Sequence, residues 1–419
     1  MKVNRWTTAL ASMGVISLGS VVQGEEQMSQ VLTAVSQTTL GGYIDTSGVW
    51  KPGTGNGGAN GGTMPARFND GSSKADGFNL NVVGLTVERP LGDDQWAAGY
   101  RADLIYGPDA VAYNPSANGD QNADFAIKQA YVNLLVPMGN GLDLKAGVFN
   151  TIIGYESFES YLNPNFGRSY GWQLEPTQHT GLLASYQLTE AVTVSGGMAN
   201  MWTSGINRRS TRGNGETWKT YLASVNITAP DSWGFLSGSS LAAGFVNGDA
   251  GNASNTPAGL GTGRARNTTS FYTGLSLLTG VEGLSVGGAF DYRANGFNTV
   301  TAGKNWAWAI AGYLSLQASE KWQFSGRLEY TTGSDGTFYD AGGTWGGGVY
   351  TPPIDPDGNP ISDVQNELFG LTLTAEYALW ANVISRLELR WDNSLADDAP
   401  FGDSDENAVT LTANAVYKF

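Results

Sequence analysis

Cysteine is absent from the 419 residues, so the chain can form no disulfide, no thiolate metal site and no cysteine nucleophile. Histidine occurs once, at His179. A serine nucleophile commonly needs an imidazole base beside it, and no serine partner for His179 is identifiable. Long apolar runs are missing as well. After residue 24 no stretch stays apolar for about 18 residues, which excludes a transmembrane helix there. Basic residues are few: 23 Lys and Arg stand against 38 Asp and Glu, a formal charge of -15. A polyanion needs a basic surface, so a nucleic-acid partner is excluded too.

What the chain has in plenty is glycine, 58 residues, and aromatics, with 13 Trp, 18 Tyr and 16 Phe. That aromatic content argues against disorder, and the glycines lack the strict every-third spacing of a collagen. Many short strands joined by Gly- and Asn-rich connections fit better, in one large all-β unit. At the N-terminus, Lys2 and Arg5 precede an uncharged, mostly apolar or small stretch, Thr7 to Val22. Val22-Gln23-Gly24 places small residues at the -3 and -1 positions of a cleavage site. Residues 1–24 therefore read as a secretory signal peptide, cleaved before Glu25. Without Lys2 and Arg5 the charge becomes 21 minus 38, or -17. Residues 25–37 read as a short polar periplasmic segment, and residues 38–419 as the folded unit.

From Thr38 onward a strand-sized segment recurs some sixteen times. In Gln95 to Tyr106, one face carries Trp96, Ala98, Tyr100, Ala102, Leu104 and Tyr106, while Arg101 and Asp103 lie on the other. In Lys321 to Thr331, Trp322, Phe324, Leu328 and Tyr330 oppose Arg327 and Glu329. In Val383 to Asp392, Leu387, Leu389 and Trp391 oppose Arg386, Glu388, Arg390 and Asp392. Side chains of a strand alternate between faces, so each segment has one apolar and one charged side.

A soluble sandwich would share that pattern, but not the position of its aromatics. Trp96 and Tyr106 bracket one apolar face, and Trp322 and Tyr330 another. At ~3.3 Å per residue and a tilt of ~40°, these pairs project about 20–25 Å along a barrel axis, the height of an outer-membrane apolar band. Rings that are part polar prefer its two rims, so Trp96, Tyr106, Trp322, Tyr330, Trp391, Tyr417 and Phe419 are expected to form aromatic girdles. Connection lengths agree. Short ones, near Pro90, Pro137, Glu190, Pro230, Thr279, Glu320 and Trp380, alternate with long ones such as Lys51–Asp76, Gly107–Asn122 and Thr151–His179. Short periplasmic turns and long external loops are the layout of a closed antiparallel transmembrane β-barrel. Sixteen strands are expected, with fourteen or eighteen also compatible, because Ala191–Thr203 and Gly238–Gly248 are rich in small residues and Thr38–Trp50 has no clean face. Closure satisfies every backbone group in hydrocarbon, and a ring of about sixteen strands is too wide for side chains to fill.

Phe125-Ala126-Ile127-Lys128-Gln129-Ala130-Tyr131-Val132, Gly139 to Gly147, Thr151-Ile152-Ile153-Gly154-Tyr155-Glu156, Asn163 to Gly171, Glu175-Pro176-Thr177 and His179-Thr180-Gly181 together resemble the OmpL-like beta-barrel outer-membrane porin family of diderm bacteria. The specific likeness covers roughly residues 125–186. It implies an outer-membrane porin with no catalytic residue and no cofactor. The closing alternation Val409, Leu411, Ala413, Ala415, Tyr417, Phe419 resembles the C-terminal signal by which barrels are inserted, which implies the barrel-assembly machinery as a partner.

The third long connection, Thr151 to His179, is too long for a plain hairpin and rich in aromatics. General porins fold this loop into the lumen, and by analogy Glu156, Glu159, Arg168 and Glu175 are expected at a constriction, facing Arg101, Arg327, Arg386 and Arg390 on the inner wall. Opposed charges there would set a transverse field that selects solutes by size and charge. The alternative is a loop packed over the barrel mouth with solvated carboxylates. Asp355 to Asn359 and Asp403 to Glu406 carry closely spaced oxygens, but neither completes a calcium loop, and no metal is expected. Arg208, Arg209 and Arg212 either meet anionic lipid or keep a loop in water. Gly53 to Gly62 lacks the Gly-Lys-Ser/Thr of a phosphate loop. The expected function is passive diffusion of small hydrophilic solutes or ions across the bacterial outer membrane, with outer-membrane lipid as surroundings and a homotrimer as one possible assembly. A plugged structural or adhesive barrel and a barrel enzyme are the other classes to weigh.

Overall fold

Sixteen segments of period-two sequence pair in chain order in the computed structural model. It describes residues 38–52, 77–113, 125–202, 206–209, 217–250, 267–295, 306–334, 337–339, 366–396, 400–401 and 405–419. The strands are β1 (Thr39–Trp50), β2 (Gly77–Arg89), β3 (Ala98–Tyr106), β4 (Phe125–Val136), β5 (Leu142–Asn150), β6 (Gln178–Gln187), β7 (Val192–Ala199) and β8 (Thr220–Thr228). They continue as β9 (Ser240–Asp249), β10 (Asn267–Leu278), β11 (Leu284–Ala294), β12 (Trp306–Gln317), β13 (Trp322–Gly333), β14 (Asn366–Tyr377), β15 (Val383–Ser394) and β16 (Asn407–Lys418). Each pairs antiparallel with its chain neighbours, and β1 pairs with β16 to close the ring. At the seam Gly42 and Phe419 exchange two backbone hydrogen bonds of 2.9 Å. No edge strand is left, which is what a bilayer core demands of a sheet.

The count settles at sixteen, and the weak segments are strands. Connections after even-numbered strands span 4–11 residues and those after odd-numbered strands 11–32. Burial runs opposite to a soluble protein. Leu387 is 67% exposed and Leu328 53%, whereas Arg327 and Arg390 are each 1% exposed and Asp392 0%. In water, each such leucine forgoes about 1.5–3 kcal/mol of burial. Lipid around the ring removes that penalty.

Two β-bulges interrupt the alternation. Register shifts opposite Asp45/Thr46 and Asp103/Leu104 leave one extra residue in β2, Asn81, and one in β4, Lys128. A bulge re-aims the extra side chain, and both residues are buried inside the barrel. Asn81 Nδ2 donates to Asp45 Oδ1 at 2.8 Å, and Lys128 Nζ lies 2.7 Å from Glu159 Oε1.

Residues 1–37, Gly53–Gly62, Arg212, Asp355–Asn359, Asp403 and Ser404 lie outside the described residues.

Candidate functional site: the inward third loop

The connection from β5 to β6 crosses the interior of the ring. At its base Thr151 N donates to Thr177 O at 3.1 Å. Ile153 and Tyr155 then pack with Leu222, Val246, Tyr272 and Tyr313, and the Tyr155 and Tyr313 rings stack 4.3 Å apart. Phe158 packs on the far side with Tyr43, Val82, Ile105 and Ala126. The Asn163 side chain pins the bend, accepting from Ser157 N and donating to Ser157 O, both at 2.7 Å. After the tip, Ser169 caps a short helix, Tyr170–Leu174, by accepting from Trp172 N. Tyr170 and Leu174 then bury against Ala307, Ala309 and Leu368.

Apart from one 3-10 turn, Ser160–Leu162, the tip has no regular structure, so most of its peptide groups need partners from elsewhere. Side chains of β13 and β15 supply them, and the sign of each charge matches its task. The guanidinium of Arg327 donates to Gly167 O and, at 2.9 Å, to Arg168 O. Arg386 donates to Ser160 O at 2.8 Å and Asn163 O at 2.9 Å, and Arg390 donates to Arg168 O. Carboxylates take the N–H groups. Glu388 accepts from Phe166 N at 2.6 Å and Gly167 N at 2.8 Å, and Glu329 accepts from Tyr170 N at 2.6 Å. Within the loop Glu156 accepts from Ser169 N at 2.8 Å, while the Tyr170 hydroxyl donates to Asp392 at 2.7 Å. The wall thus holds the loop by its backbone, through charge-assisted bonds that are about twice as strong as neutral ones.

The charged residues expected at the constriction are distributed among several close contacts. Glu156 and Arg327 touch, at 2.8 Å. Glu159 pairs with Lys128, not with an arginine. Glu175 lies against another acid, Asp291 of β11. Arg386 and Arg390 bond loop carbonyls and their own wall, at 2.8 Å from Glu376 and 2.8 Å from Asp392 respectively. Arg101 makes no such loop bond; its partners are Glu88 at 3.1 Å and Asp103 at 2.9 Å. Arg168 turns back into its own loop, donating to Phe166 O and Phe158 O at 2.6 Å, with its guanidinium 5.6 Å from the Trp172 ring. The physical reason is desolvation: a charge walled in by protein is costly unless partnered at contact distance, so opposite charges close the gap.

Sequence reasoning missed Lys128, Asp45, Asp291 and the docking role of Glu329, Glu388 and Asp392. The last three had a signal, since they alternate with the arginines on the charged faces of β13 and β15. His179 is buried at the loop base, with Nε2 3.2 Å from Thr151 Oγ1 and Nδ1 3.4 Å from Met201 O. Arg209 lies on the surface and donates to Asn207 O. Among the described residues no group of three acidic or imidazole side chains is placed to hold a metal.

The family described as Putative beta-barrel porin-2, OmpL-like matches residues 37–419. The chain belongs to this porin family. It is an outer-membrane protein, and its barrel is that of a channel. Among solved structures the porin is similar to the outer membrane channel DcaP of Acinetobacter baumannii, at 12% identity, with 91% of this chain and 97% of that one covered and a TM-score of 0.53. The anion-selective porin from Comamonas acidovorans gives 11%, 91%, 99% and 0.53. The trimer form of in-vitro folded OmpT, an outer membrane protein of Vibrio cholerae, gives 10%, 91%, 99% and 0.50. At such identities the likeness is one of fold. No curated protein matches.

On the outer face of the porin, aromatic rings gather near both ends of the strands. Near the short turns, Trp322 lies 5.7 Å from Phe324 and 4.5 Å from Tyr377, and Trp96 and Tyr417 are exposed. Near the long loops, Trp308 lies 5.4 Å from Tyr330, Phe369 lies 5.8 Å from Trp391, and Tyr106 is exposed. Phe419 sits at the seam beside Gly42.

Proposed function

We propose that this porin lets small hydrophilic solutes diffuse through its lumen, driven by their own gradients, and that the Thr151–Thr177 loop narrows the passage. The observation that carries the reading is the docking of residues 160–170 on β13 and β15 inside the ring. A loop held at contact distance on that wall takes cross-section from the lumen at a fixed place. Glu156, Glu159, Arg168, Glu175, Arg327, Arg386 and Arg390 then act on solutes by setting where the loop lies, and Arg101 by presenting charge on the half-buried wall of β3.

Cations are the favoured ions in this reading. The chain has 15 more acids than bases, and lumenal Asp45 is held by the neutral donors Asn81, Asn414 and Ser160. Negative potential in a low-dielectric channel concentrates cations, less so at high salt. The two aromatic belts meet lipid at the membrane interfaces. Export by the residue 1–24 signal, insertion through the barrel-assembly machinery and a homotrimeric state complete the proposal; the trimer form of OmpT supports the last.

Planar-bilayer recording of the purified protein tests the function. Stepwise ohmic conductance with a cation-side reversal potential is expected. One observation favours a second reading: the loop also reaches β1, β4 and β10–β12. Total absence of steps would select that plugged barrel.

A further inference from the structure

The loop is held at two places of opposite electrical character. At its tip, plus meets minus. At its returning arm, acid meets acid: the side chains of Glu175 and Asp291 are in hydrogen-bond contact, and Glu175 is 9% and Asp291 4% exposed. Two carboxyl groups can bond to each other only if one keeps a proton, which its O–H donates to the other's carboxylate oxygen.

Among the described residues, neither carboxylate forms an ion pair with a lysine or arginine. Glu156 of the same loop adds a third acid to the local field, and its charge is engaged by Arg327 and by the Tyr313 hydroxyl of β12. From the loop, Tyr155 donates its backbone N–H to Glu175. From β10, the buried Tyr272 hydroxyl lies beside the pair without a hydrogen-bond partner among the described residues, as does Asp291 Oδ1. Two residues on in β11, the Arg293 guanidinium sits 4.2 Å from the Trp202 ring. Two glycines lie close against these carboxyl groups. A Cβ on Gly154 would collide with Glu175 Oε2, and one on Gly171 with Asp291 Oδ2.

We propose that Glu175 and Asp291 are a proton-shared latch holding the arm Gly171–Thr177 against β11, and that rising pH opens it. The functional consequence rests on the reading that this loop narrows the passage. Burial, then Asp291 and Glu156, push the Glu175 carboxyl well above the usual carboxylate range. The docked arm therefore holds the proton more tightly than a released one. The latch is complete at low pH and is lost as the pH climbs through the raised value. Once both acids are ionised they repel in a site with little water. The tip stays docked, because its ion pairs do not depend on a shared proton, so the arm swings about the tip.

The chain has no cysteine, so a spin label on Gln173→Cys reports the arm alone. Its mobility is recorded from pH about 5 to about 10 in the full-length barrel, and again with Asp291→Asn or Glu175→Gln added. The parent should pass from immobile to mobile as the pH rises. Both variants should stay immobile throughout, because the new amide N–H donates to the remaining carboxylate at every pH. No transition in the parent, or the same transition in both variants, overturns the latch. Conductance recorded over the same range separates the two ideas: a mobility change at constant conductance keeps the latch and removes the constriction.

Discussion

Replacing Arg327 with methionine keeps an unbranched stem and removes the guanidinium with its five donors. Glu156 then loses a cation at 2.8 Å and Gly167 O loses its donor, while Arg168 O keeps Arg390. Glu329 keeps Arg390 at 3.5 Å, so the damage falls mainly on the loop. Breaking a buried pair by removing one partner costs about 3–5 kcal/mol. At about 1.4 kcal/mol per factor of ten, that is about a hundred- to several-thousand-fold in the equilibrium between docked and released tip. The β12–β13 and β13–β14 ladders are backbone pairings and contain none of these bonds. Hydrogen exchange followed by mass spectrometry reads both regions at once. Peptides covering residues 156–170 should exchange at least about a hundredfold faster in Arg327→Met, because the amides of Ser169 and Tyr170 are freed, while β13 peptides stay protected. Unchanged exchange in 156–170, or equal acceleration in β13, would refute the idea that the wall holds the loop.

Further outcomes follow from the same geometry. Leu387→Arg places a charge on the lipid face and should cost about 2–4 kcal/mol near the midplane in reversible unfolding from vesicles, whereas Arg101→Ala in the lumen should cost less, because Asp103 keeps Thr86 and Gln129 as donors, and should shift ion selectivity. The reversal potential in a salt gradient should favour cations and shrink as salt rises toward about 1 M, where the screening length falls to about 3 Å. A value near zero at low salt would contradict the acidic lumen.

How much of this was written in the sequence depends on range. Strands were legible because their signal is local: Leu387, Leu389 and Trp391 alternate with Arg386, Glu388 and Arg390 whatever the rest of the chain does. The weak strand β9 is explained by the loop itself, since a Cβ on Gly244 would strike Ile153. Thr38–Trp50 lacked a clean face because Tyr43 and Val49 turn inward, and Tyr43 packs with Tyr161 at 5.0 Å. The loop was recognisable from its length and aromatics. Its partners were not. Phe166 meets Glu388 across 222 positions, and Arg327 meets Glu156 across 171, distances bridged only by closure of the ring. Lys128 was hidden by its bulge, which breaks the period that sequence patterns rely on. The pairing of Glu175 with Asp291 had no signal either, since two acids in contact run against the charge matching that would propose a partner.

Single-channel conductance of the intact protein beside a variant lacking residues 158–170 tests the central claim most directly. An aqueous lumen narrowed by this loop predicts discrete ohmic steps from the intact chain and larger steps from the shortened one. Steps of the same size would contradict the constriction, and silence from both would contradict the channel.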